Sequence, residues 1–165
     1  MPSSLNIRPA TVTDLPLILS FIKKLADYEK LPHQVVATEE ILRVSLFGPK
    51  PQAECLLAFL DDAPVGFGIF FHNFSTFLGR HGLYLEDLFV VPEKRGHGVG
   101  KALLQRLAAI AVERGCGRFE WAVLDWNESA IEFYRSIGAT MLDDWRIFRL
   151  SGEALQRMAK EEKEK

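Results

Sequence analysis

Residues 84–114 read YLEDLFVVPEKRGHGVGKALLQRLAAIAVER. An apolar strand carrying two acids, Glu86 and Asp87, runs to a proline stop at Pro92. A basic, glycine-rich turn follows, Arg95-Gly96-His97-Gly98-Val99-Gly100-Lys101, and opens a long amphipathic helix. Backbone N–H groups at a helix start, uncovered by glycine, form an anion site, and Arg95 and Lys101 flank this one. A phosphate-bearing ligand is the natural expectation. Spacing narrows the choice. A P-loop needs glycine where Arg95 stands and Ser or Thr where Ala102 stands. The dinucleotide pattern Gly-x-Gly-x-x-Gly fails too, because the glycines are Gly96, Gly98 and Gly100. What remains is Arg-x-x-Gly-x-Gly between a strand and a helix.

With 165 residues, 48% of them hydrophobic, the chain suits one domain, 1–165, with a sizeable core; residues 160–165 form a charged tail. A net charge of −2 lacks the basic excess of a nucleic-acid binder. Cys55, Cys116 and the histidines His33, His72, His81 and His97 show no metal-ligand spacing, so no metal is expected and the thiols suit a reduced interior. The start MPSSLNIRPA carries no signal-peptide pattern, and no apolar run reaches membrane-span length. A soluble, cytoplasmic protein is expected.

Patterning places a strand at Leu5–Pro9 and, behind the capping-box pair Thr11 and Asp14, a helix with Leu15, Ile18, Leu19, Ile22 and Ala26 on one face that ends near Tyr28-Glu29-Lys30. Thr38 opens a second, short helix with Ile41, Leu42, Ser45 and Leu46 inward. Strands follow at Glu54–Leu60, Val65–Phe74 and Gly82–Val91, the first two joined by an Asp61-Asp62 turn. Period-2 counting puts Leu83, Leu85, Asp87, Phe89 and Val91 on one face, so each acid interrupts an apolar row unless a bulge shifts the register. The helix from Gly98 turns Leu103, Leu104, Leu107, Ala108 and Ala111 inward and stops at Gly115. A strand at Arg118–Leu124, a helix capped by Asn127, a last strand at Trp145–Leu150 and a helix from Ser151 complete a mixed α/β order.

The turn Arg95-x-x-Gly98-x-Gly100, the strand FEWAVL and the segment Asn127…Phe133-Tyr134…Gly138-Ala139 resemble the GNAT superfamily of acetyl-CoA-dependent N-acetyltransferases. Ile7-Arg8-Pro9-Ala10, Tyr28-Glu29, Tyr84-Leu85-Glu86-Asp87, Trp126-Asn127-Glu128 and Trp145-Arg146 are similar to its spermidine/spermine and thialysine branch. The resemblance implies a mixed, mostly antiparallel sheet flanked by helices, acetyl-CoA as co-substrate, direct transfer to an amine in a ternary complex, and a homodimer. It implies that Leu88, Phe89 and Val90 hold the acetyl and pantetheine part. Arg95, Gly96, His97, Gly98, Val99, Gly100 and Lys101 are then the pyrophosphate site, and Asn127 bonds the pantetheine arm. Tyr134 is the implied general acid and Glu86 the base; Tyr28, Glu29, Glu86, Asp87 and Trp145 meet the amine. The same residues also suit bland roles: a salt-bridged pair for the acids, a packed ring for Tyr134, a helix end for Tyr28-Glu29. Trp121 and Trp126 read as core.

The resemblance implies as substrate a polyamine, a diamine or a lysine-like side chain. The loop Ser75–Arg80 is apolar and basic where the polyamine enzymes carry acids, which makes Arg80 a candidate partner for a substrate carboxylate. Acetylation of a protein amine is the rival among enzymes. A non-catalytic CoA-binding protein is the rival outside them, and the presence of both Glu86 and Tyr134 speaks against it.

Overall fold

A computed structural model describes residues 3–161, in two compact units that divide after Leu124. The first unit carries a five-stranded sheet of β1 (Leu5–Pro9), β2 (Glu54–Leu60), β3 (Ala63–Ser75), β4 (Arg80–Val90) and β5 (Phe119–Trp121), ordered as numbered. The first four strands pair antiparallel, and β5 joins β4 in parallel. Asp61 and Asp62 make the β2–β3 turn, both at positive φ, a backbone state that the short Asp side chain tolerates. The stretch Arg118–Leu124 yields only a three-residue strand.

The helices of this unit are α1 (Leu15–Tyr28), α2 (Glu39–Phe47) and α3 (Val99–Glu113). Asp14 precedes α1 and accepts hydrogen bonds from the Thr11 N–H at 2.8 Å and from the two terminal guanidinium nitrogens of Arg8 at 2.8 and 3.0 Å. These contacts, Arg8 first, lower its pKa to about 2. Leu15, Ile18 and Phe21 of α1, with Leu42 and Leu46 of α2, pack on Cys55, Leu57, Phe67, Ile69 and Phe89 of the sheet. Ile41 is outside this core and exposed. On α3 the buried residues are Val99, Leu103, Leu104, Leu107, Ile110 and Ala111, whereas Ala108 faces water. Gly115 ends α3 at φ 70°, as its sequence position predicts.

The acids on β4 are accommodated by a bulge. Ile69 faces Asp87 across the β3–β4 ladder while its neighbour Phe70 faces Leu85, so Glu86 has no partner. The extra residue switches faces. A Cβ at Gly68 would meet both Leu85 and Leu107, which puts Leu85 on the α3 side. Phe89 instead lies 6.2 Å from the Phe21 ring of α1. One uninterrupted row from Leu83 to Val91 is therefore replaced by two half-rows. Glu86 thereby leaves both apolar layers, whereas Asp87 stays half-buried on the α1 face, two residues from Phe89.

In the second unit, α4 (Glu128–Ser136) and α5 (Gly152–Glu161) are the regular elements. Asn127 does not cap α4 with its side chain; that oxygen accepts from Ser129 Oγ at 3.4 Å. The expected strand at Trp145–Leu150 is absent. A strand exists only as one side of a ladder, and among the described residues this stretch has no ladder partner. Trp145, Ile147 and Phe148 are 76%, 80% and 95% exposed. No helix among the described residues is long and apolar enough to cross a membrane. Of the charged tail 160–165, residues 162–165 lie outside the described residues.

Candidate active site

The bulge gathers carboxylates. Glu86 projects from it into water, and half-buried Asp87, the next residue, lies on the α1 face. Glu29, just past the end of α1, is also half-buried. Burial, then the charges of Glu86 and Glu29, push the Asp87 pKa up to about 6. Burial alone raises that of Glu29. Three acids from two distant stretches thus share one field. A positive charge placed there would offset the repulsion that Glu86 and Glu29 exert on Asp87.

Beside the acids, β4 has an open edge. β5 pairs only with Leu83, Tyr84 and Leu85. The Val91 N–H donates to the Val65 carbonyl at 2.8 Å, which turns residues 89 and 91 toward β3. Backbone direction alternates along a strand, so Leu88 and Val90 present their N–H and C=O groups to the open side. A chain of amides such as pantetheine can pair with that edge as an added strand does.

The turn after β4 has the backbone geometry of an anion site. Gly96 and Gly98 adopt φ 79° and 80°, the left-handed region where a side chain is strained. The first backbone bond into α3 runs from Ala102 N–H to Gly98 O at 2.9 Å. The N–H groups of Val99, Gly100 and Lys101 thus have no carbonyl partner within the helix, and a glycine cap supplies no side chain for them. Gly100 is different from its neighbours. A Cβ there would meet only Val90 Cγ2 at 3.8 Å, so neither packing nor backbone calls for glycine. Without a Cβ at Gly100 the amides stay open to a phosphate, and on this ground the residues present fit acetyl-CoA.

Arg95 is the residue whose surroundings the turn motif did not foretell. Its Nε donates to the Val90 carbonyl at 3.0 Å, and its guanidinium lies 4.4 Å from the Tyr28 ring centre and 5.6 Å from that of Phe89. It ties the turn to the ends of both β4 and α1. A carbonyl has two lone pairs, so Val90 can serve Arg95 and a ligand amide together. His97 is exposed, with Nδ1 3.1 Å from the Arg95 carbonyl oxygen, and Lys101 is exposed on the first turn of α3.

Asn127, Tyr134 and Trp145 belong to the second unit. Tyr134 is half-buried on α4, its ring 5.7 Å from that of Phe133, and Trp145 is exposed. Trp126, read as core from the sequence, is 45% exposed; Trp121 is half-buried, its ring 4.9 Å from that of Phe119. Arg80 does not join the acids. It starts β4 opposite Ser75, six residues from Glu86, or roughly 20 Å at the usual rise of a strand. A lysine-like molecule cannot bridge that span, which removes Arg80 as the partner of its carboxylate within one chain.

A profile of the acetyltransferase (GNAT) family matches residues 22–139. Thialysine N-epsilon-acetyltransferase of Sus scrofa is 41% identical over 168 residues, covering 95% of this chain and 98% of the relative. L-ornithine N5-acetyltransferase of Arabidopsis thaliana is 34% identical over 200 residues, covering 94% and 88%. Among solved structures, an integron cassette protein from the mobile metagenome of V. cholerae superposes with a TM-score of 0.79 at 29% identity, covering 95% and 98%. The open strand edge, the glycine turn and these likenesses agree: the chain belongs to the acetyltransferase (GNAT) family and is an acetyl-CoA-dependent amine N-acetyltransferase.

Proposed function

We propose that the protein acetylates the terminal amine of a lysine-like amino acid, by direct attack within a ternary complex. The observation that carries this reading is the convergence of Glu29, Glu86 and Asp87 beside the open edge of β4. Two relatives named above act, by their names, on amino acids that end in a primary amine, which supports the same substrate class.

Acetyl-CoA supplies an activated acetyl thioester. The chain holds its pyrophosphate on the amides of residues 99–101 with Arg95 and Lys101 nearby, and its pantetheine on Leu88 and Val90. An N–H of that edge also faces the thioester oxygen as charge develops there. An alkyl amine near neutral pH is almost wholly ammonium, and only the neutral form attacks a carbonyl. The three acids attract the cation, and Glu86, exposed at the bulge, takes its proton directly or through water. Asn127 bonds the pantetheine arm and Tyr134 gives a proton to the departing sulfur, roles that rest on the family resemblance. Tyr28 and Glu29 flank the amine, and the family resemblance alone adds Trp145 to the residues that meet it. The enzyme works as a homodimer, for which Phe74, Phe77 and Leu78, 62%, 100% and 50% exposed on one hairpin, offer apolar surface.

The test is CoA release measured side by side for thialysine, lysine, ornithine, putrescine and spermidine. The expected result is a kcat/KM for at least one amino acid equal to or above that for spermidine. A tenfold or greater preference for spermidine over every amino acid overturns the substrate assignment.

A further inference from the structure

At the end of β4 remote from the acids, the sheet assembles three groups that lie far apart in sequence. His72 of β3 and His81 of β4 are diagonal neighbours on one face, since His72 faces Leu83 and His81 faces Phe74. Their rings meet edge to face at 5.1 Å between centres. Cys116 joins them from the loop after α3. Two backbone bonds hold that loop: Cys116 N–H to Ala111 O at 2.8 Å, and Gly117 N–H to the carbonyl of His81 itself at 3.0 Å. One ring nitrogen from each histidine and the Cys116 Sγ all lie within 4.8 Å of one another.

We propose that His72, His81 and Cys116 form a binding site for one borderline-soft divalent ion of the Zn2+ class, with water as the fourth ligand. Two imidazoles and a thiolate are the donor set that such an ion prefers. Tetrahedral zinc with ordinary Zn–N and Zn–S bonds sets its ligand atoms about 3.3–3.6 Å apart. A contraction of about 1 Å from the present spread closes the site, within the reach of side-chain rotation. The surroundings match those of a metal-binding histidine. His81 Nε2 lies 3.0 Å from the Arg114 carbonyl oxygen, which only accepts, so the proton sits there and Nδ1 carries the lone pair. The Arg114 guanidinium lies 3.5 Å from His72 Nε2. Its charge is matched by Glu54, which accepts from it at 2.6 and 2.9 Å. The site lies on the same strand as Glu86 but five residues before it, and it borrows nothing from the acetyl-transfer groups.

The experiment is anaerobic titration of reduced, chelator-treated protein with Co2+, followed by competition with Zn2+. Native protein should bind one Co2+ with a thiolate-to-cobalt charge-transfer band and the intense visible bands of tetrahedral cobalt, and Zn2+ should erase both. Cys116→Ser should remove the charge-transfer band. His72→Gln and His81→Ala should each weaken Zn2+ binding at least tenfold, and Zn2+ should raise the Tm of native protein but not of Cys116→Ser. Because His72 is exposed, its variant keeps the fold and remains informative even if His81→Ala does not. A band that survives in Cys116→Ser, an affinity unchanged by loss of His72, or no cobalt signal in native protein overturns the proposal.

Discussion

Gly100→Ala separates what the fold requires from what the ligand requires. The added Cβ would sit 3.8 Å from Val90 Cγ2, an ordinary van der Waals contact, with no other heavy atom within 4 Å. Gly100 lies in the first turn of α3 and is absent from the positive-φ glycines. Alanine there should therefore stabilise the helix by about 0.5–1 kcal/mol, chiefly by restricting the unfolded chain. For a chain of this size that raises Tm by about 1–4 °C. The same methyl group stands in front of the amides proposed to receive pyrophosphate. Losing close approach at one or two charge-assisted hydrogen bonds costs about 1.5–3 kcal/mol each, so CoA should bind at least tenfold more weakly. Differential scanning calorimetry and isothermal titration with CoA read the two effects independently. Gly98→Ala is the contrast: its φ of 80° makes alanine unfavourable by about 1–2 kcal/mol, so stability and affinity should fall together. A Gly100→Ala protein that is more stable and binds CoA as native does would refute the phosphate assignment.

Glu86→Gln should lower kcat by about 100-fold or more while leaving Tm within a degree or two, since the exposed bulge residue packs against nothing that the amide would disturb. Tyr134→Phe keeps the ring and removes the hydroxyl; a comparable fall in kcat without loss of Tm is expected, and full activity would return Tyr134 to a packing role. Asp87 titrates near 6 in the folded protein, above an ordinary carboxyl, so its contribution to stability is complete below about pH 4 and is lost as pH rises through 6. Asp87→Asn should therefore flatten the fall of Tm between pH 4 and 7 and gain about 1–2 kcal/mol at neutral pH, a figure reduced for partial exposure; identical pH profiles would contradict it. Sedimentation of native protein at micromolar concentration should show a dimer, and a monomer there removes the proposed assembly.

Much of this was legible in one dimension because its physics is local. The 3.6-residue period of α1 and α3, the proline after β4, the positive-φ glycines and the order of elements all depend on near neighbours in the chain. The glycine turn was readable for the same reason, and the family likeness with it. Other features depend on what lies across space. Period-2 counting cannot reveal a bulge, because the extra residue at Glu86 is defined only against Ile69 and Phe70 of β3. The stretch Trp145–Leu150 has every local mark of a strand and lacks the partner that would make it one. Arg80 and Glu86 looked close in sequence, but an extended strand converts six residues into roughly 20 Å. His72, His81 and Cys116 show the converse. A hairpin register and a helix-end loop bring together ligand atoms that no linear spacing connects. Sequence alone determined most of the helices and strands and the glycine turn, since backbone preference acts over a few residues. Tertiary structure alone decided which acids share a field and which side chains share a metal-sized space, since electrostatics and coordination act through distance and not along the chain.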